Sequence, residues 1–127
     1  MSFDVFFRRF RDGDAEPGGC DQMRQILDPF VVREEEHEHS FLRVEYGDGS
    51  AVVYLNSDAM MANHISGWDP WDLLVEGARA AGWVIMPVGC PTCLTDQAQR
   101  IHLPEDLNEG VALVANGQDL LRVIQSR

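Results

Sequence analysis

An α+β fold is predicted by three stretches of the chain. Residues 68–89, WDPWDLLVEGARAAGWVIMPVG, read as a helix running into a strand. Residues 40–56 read as two strands joined by Gly47-Asp48-Gly49, a strong turn signal. Residues 2–10 place aromatic and aliphatic side chains at alternate positions, the period of a strand.

In that first strand Phe3, Val5 and Phe7 share one face, while Phe6 and Phe10 give the other face apolar character. A strand apolar on both sides belongs inside a sheet. Residues 11–19, RDGDAEPGG, have the Gly, Asp and Pro of a solvated connector. Residues 21–27 form a short helix with Met23, Ile26 and Leu27 on its apolar side. Pro29 ends it, because the proline ring disfavours helical backbone at Asp28. In residues 31–39, VVREEEHEH, two strand-forming valines give way to a charged run read as a solvated loop. Residues 41–46 put Leu42, Val44 and Tyr46 inward and Arg43 and Glu45 outward, and residues 51–55 return as the second strand of a hairpin. Residues 57–67, SDAMMANHISG, read as a loop.

The helix that follows is marked at both ends. Asp69 is the expected N-cap, Pro70 takes the first helical position, where its missing N–H costs nothing, and Asp72 adds charge at the positive end. Trp71, Leu74, Val75, Ala78 and Ala81 form one buried stripe, and Gly82 supplies the left-handed stop. Residues 83–88 are apolar enough to be covered on both faces. A long connection then holds helical turns at 96–100 and after Pro104, a short strand at 111–115 and a helix at 117–125 with Leu120, Leu121 and Ile124 on one side. The order predicts a ferredoxin-like β-α-β-β-α-β sandwich, helices on one sheet face, extended by a C-terminal strand and helix. Residues 1–127 form one domain by this reading, of a size that supports a single core.

Asp and Glu number 21 against 10 Lys and Arg, all arginine, for a formal net charge of -11. Such a surface repels nucleic-acid phosphates and anionic membranes and favours a basic partner. No apolar run approaches the roughly 20 residues of a membrane span, and the first residues lack the pattern of a signal peptide. Three cysteines do not make a secreted disulfide framework, so a cytoplasmic protein is expected.

Cys90-Pro91-Thr92-Cys93 follows a buried strand and, if a helix came next, would have the local setting of a redox pair with one acidified thiol. Zinc is the other chemistry of two thiols. It needs two further ligands, and Cys20, His37, His39, His64 and His102 offer no second closely spaced pair. Neither a G-x-S-x-G elbow nor a phosphate-cradling glycine loop is present. The expectation is therefore a non-enzymatic protein without cofactor or metal. Its alternative is a small thiol redox or zinc-binding protein centred on Cys90 and Cys93.

The candidate recognition residues are Glu34, Glu35, Glu36 and Glu38, whose packed like charges a basic partner would relieve, and Trp68, a residue type enriched at interface anchors. As an alternative role, Trp68 would staple the first turn of the following helix. Met60, Met61 and His64 are a further candidate patch.

MSFDVFFRRF at 1–10, LTDQAQR at 94–100 and LPEDL at 103–107 together resemble a group of small bacterial proteins. Those proteins are similar to the immunity proteins of polymorphic toxin systems, single acidic domains that bind and block a cognate toxin. The resemblance implies a partner protein, a toxin enzyme with a basic cleft, and no nucleic acid or membrane. It carries no contact motif, and residues 90–93 are particular to this chain.

Overall fold

The computed structural model describes residues 3–35 and 40–126. Its strands are β1 (Val5–Arg11), β2 (Asp14–Glu16), β3 (Val31–Glu35), β4 (Ser40–Tyr46), β5 (Gly49–Leu55), β6 (Ala59–Ser66), β7 (Val84–Pro87), β8 (Cys93–Leu94) and β9 (Ala112–Leu113). The helices are α1 (Cys20–Leu27), α2 (Asp69–Ala81) and α3 (Gly117–Gln125), with 3-10 turns at Asp28–Phe30, Gln97–His102 and Glu105–Leu107. One mixed sheet runs in the order β3-β4-β5-β6-β1-β7-β8-β9, with β2 paired to β1. Every pairing is antiparallel except β8 with β9.

The α+β class holds, but this strand-rich order is not the ferredoxin-like arrangement expected from the sequence. Between α1 and α2 lies a meander of four strands, β3 to β6, where a hairpin was expected. The added strands are β3, from the stretch assigned to a charged loop, and β6, from the stretch assigned to a loop. β6 is built from Ala, Met and Asn, residues of weak strand preference, so no propensity argument finds it. It forms because Met60 and Ala62 are delivered to the core at 3% and 0% exposure, between β5 and β1. The connector after β1 is also a small hairpin: Asp12 and Gly13 both have positive φ, 51° and 87°, and turn the chain into β2. That conformation is the one Asp-Gly favours in two-residue hairpin loops.

The helices bury one face of the sheet. Val5 and Phe7 of β1, Leu42 and Val44 of β4, and Ala51, Val53 and Leu55 of β5 join Met23 and Leu27 of α1, the apolar stripe of α2 and Leu120 of α3 in one core. α1 seats closely because α2 has Gly77 beneath it, where a Cβ would lie 2.3 Å from Met23 Sδ. α2 ends where expected: Gly82 has φ 71°, and the Trp83 N–H closes the turn onto the Ala78 carbonyl at 2.9 Å.

β7 is covered on both sides, as its composition required. Trp83 and Ile85 face the main core, while Val84 joins Leu94 and Leu103 in a second, smaller cluster beneath the connection to β9. This connection covers the far face of the sheet at β7 and reaches Phe10 near the end of β1. Among the described residues no helix is long and apolar enough to cross a membrane.

Candidate interaction surface

The described part of the acidic run, Glu34 and Glu35, does not form one surface. Alternation along edge strand β3 sends Glu34 and Glu35 to opposite faces. Glu34 lies on the helix side, where it accepts from Arg24 Nη2 at 2.6 Å. Arg24 also reaches Asp28 Oδ1 at 2.5 Å, and the bonds from Glu34 and Asp28 hold its guanidinium charged well beyond its ordinary range. Glu35 pairs with Arg33 at 3.0 Å on the other face. Glu34 is thus engaged inside the molecule, contrary to its expected place in a solvated charged loop. Glu36 and Glu38, with His37 and His39, lie outside the described residues.

Trp68 is an exposed residue at 65%, which does not fit the staple expected at the first turn of α2. Its position is fixed by the turn of the β4–β5 hairpin. The Asp48 carboxylate accepts the backbone N–H of Trp68 at 2.9 Å and of Asp69 at 2.8 Å, and the Asp69 carboxylate accepts the Asp48 N–H at 3.1 Å. Asp69 was the expected N-cap. Instead it occupies the first helical position, and Asp48, distant in sequence, satisfies the helix end. Asp48→Ala is expected to destabilise the fold by about 1–2 kcal/mol, with Asp48→Asn recovering most of the loss, read by urea unfolding. A loss confined to a few tenths of a kcal/mol would show that solvent caps this end equally well. The result of the cap is an indole held out from the surface beside two carboxylates.

The thiol pair is divided between a half-buried Cys90 and a buried Cys93. Cys93 is fully buried in β8, and burial, reinforced by the neighbouring Cys90, pushes its thiol up to about 12. That shift makes Cys93 itself a poor nucleophile. The Cys93 thiol faces the Pro91 carbonyl at 3.5 Å and the Cys90 thiol faces that of Val88 at 3.7 Å. The following Asp96–Gln99 capping box serves the next turn. Among the described residues no group of three His, Cys, Asp or Glu side chains is placed to hold a metal ion.

A cleft of about 320 Å³ gathers Arg9, Arg11, Arg79 and His102. Its cations are already engaged: Arg9 and Arg11 reach Glu16 at 3.4 and 2.8 Å, and Arg79 donates to the Ala115 carbonyl.

A further candidate surface is the sheet face opposite the helices. Phe41, Tyr54, Met61 and Phe6 are direct cross-strand neighbours on β4, β5, β6 and β1, and Met86 of β7 continues the row. Phe6 is 43% exposed, and Phe41 meets Tyr54 edge-on with ring centroids 5.6 Å apart. A shallow groove of about 320 Å³ opens between Phe6, Tyr54, Met61 and Ala59. Two side-chain atoms next to this row, Arg8 Nε and Asn63 Oδ1, are buried without a hydrogen-bond partner. Sequence alternation revealed the two-sided character of β1 and flagged Met61, but the row became visible only with the register of β6. Scans against family models, curated proteins and solved structures each returned no match.

Proposed function

We propose that this chain is an immunity-type binding protein, acting in the cytoplasm, that neutralises a bacterial toxin enzyme by covering its active site. The observation that carries the reading is the acidic corner at the start of α2, where Trp68 stands 65% exposed beside Asp48 and Asp69 on a protein of net charge -11. An exposed, backbone-fixed tryptophan is a low-entropy anchor, and the surrounding carboxylates complement a basic cleft in sign. Burial raises the Cys93 thiol, so this side chain is a poor nucleophile.

The test begins with a photo-crosslinking residue at position 68, which captures the partner in the native cell. The partner is expected to arrest growth when expressed alone and to be silenced by co-expression of this chain. Trp68→Ala is expected to weaken the complex by about 2 kcal/mol, roughly thirtyfold. Reversing Glu35, Glu36 and Glu38 to Lys is expected to slow association about tenfold at low salt, with dissociation little changed. Glu34 is left intact in that variant because of its pair with Arg24. A captured partner that is harmless alone, or whose toxicity this chain leaves untouched, overturns the proposal.

A further inference from the structure

We infer that the open sheet face is the contact between two copies of this chain, related by a two-fold axis running along the strands between β5 and β6. The pattern of the face is self-complementary about that line. In register order the row reads Glu35, Phe41, Tyr54, Met61, Phe6, Met86, so the rotation sets Phe6 over Phe41 and Met61 over Tyr54 at its centre and Met86 over Glu35 at its ends. The adjoining row reads Arg43, Val52, Asn63, and Asn63 holds Asp4 at 3.2 Å on the β1 side. The same rotation therefore brings Asp4 of one copy over Arg43 of the other, twice. In a two-fold contact each residue pair recurs with the roles exchanged, which is the arrangement this face presents. Sheets packed in this way lie about 10 Å apart with side chains interdigitated.

Charge favours a second copy over the basic partner of the proposed function. Alternation places Arg8, Arg33 and Arg43 on this face with Glu35 and Glu45, and Asp4 adjoins them, so among the described residues three cations meet three carboxylates on a molecule of net charge -11. A basic cleft gains nothing at a neutral patch with three arginines. Two acidic copies can meet here without local repulsion. Arg33 and Arg43 are also directly opposed on β3 and β4, an unfavourable like-charge pair; Glu35 already holds Arg33, and Asp4 of the second copy would meet Arg43. Beyond about 8 Å at physiological salt the remaining like charges of the two copies are screened, so salt strengthens this contact while it weakens binding of a basic toxin.

Sedimentation equilibrium on the intact chain tests the inference, with circular dichroism confirming that each variant is folded. Dimers are expected at about 10–100 μM, tightening as salt is raised. Met61→Glu is expected to weaken the dimer at least about a hundredfold, and Trp68→Ala to leave it unchanged. Asp4→Arg and Arg43→Asp are each expected to weaken it about tenfold or more, and the double variant to recover most of the loss, since only a second copy carries both exchanged charges. A chain that stays monomeric to about 1 mM overturns the inference. A dimer indifferent to Met61→Glu, or a double variant no better than either single one, also overturns it.

Discussion

Trp83→Ala is expected to destabilise the protein by about 3–5 kcal/mol, enough to remove much of the stability of a domain of this size. Trp83 is the largest side chain that the fold buries completely. Its indole N–H donates to the Gly18 carbonyl at 2.9 Å, which fixes the loop leading into α1. Its backbone N–H closes the end of α2, and its carbonyl accepts from Thr95 Oγ1 at 3.3 Å, beside the capping box of the next turn. Truncation therefore opens a cavity where three segments meet and leaves the Gly18 carbonyl without its partner. Trp83→Phe separates the two effects. It keeps much of the packing and loses the hydrogen bond, for an expected cost of about 1–3 kcal/mol. Urea unfolding followed by far-ultraviolet circular dichroism reads both. Equal losses for the two variants would place the effect in the hydrogen bond rather than the cavity.

Gly117→Ala is expected to cost about 2–3 kcal/mol, an unusually large effect for one methyl group. Gly117 begins α3 directly against the start of α2. A Cβ there would lie 2.4 Å from the Asp72 backbone nitrogen, 2.6 Å from the Trp71 carbonyl carbon and 2.7 Å from Trp71 Cβ. Two of these are backbone atoms, which do not swing aside like the end of a long side chain. The Gly117 N–H also donates to Asp72 Oδ1 at 2.6 Å, so moving α3 away breaks the bond that holds it. Leu120, fully buried one turn later, shifts with the helix. The measurement is the unfolding midpoint together with hydrogen exchange in residues 117–125. Protection lost there before the rest of the chain would place the strain at this junction, and unchanged exchange would remove it.

Local signals made much of the fold legible. Pro70, the stripe from Trp71 to Ala81 and Gly82 delimit α2, and α3 falls where its apolar spacing put it. The β4–β5 hairpin follows from alternation and its turn. What the sequence hid was non-local. β6 has no propensity of its own and exists through its two neighbours. Asp48 caps a helix that begins some twenty residues further along the chain, and no short motif encodes a cap across that separation. The acidic run was legible as charge, but the alternation that turns Glu34 toward Arg24 depended on recognising β3 as a strand. Trp68 was found by residue type, and its exposure came only from the structure.

The place of β1 between β6 and β7 bears on how the molecule is made. During synthesis β1 leaves the ribosome well before β6 or β7 exists, and because β2 pairs only with residues 9–11, Phe6 and Phe7 have nothing to pair against. The β3–β6 meander can assemble locally, but one side of β6 remains a bare edge until the chain's first strand returns to fill it. That closure joins residues far apart in sequence, the kind of step that slows folding and exposes nascent chains to misassociation.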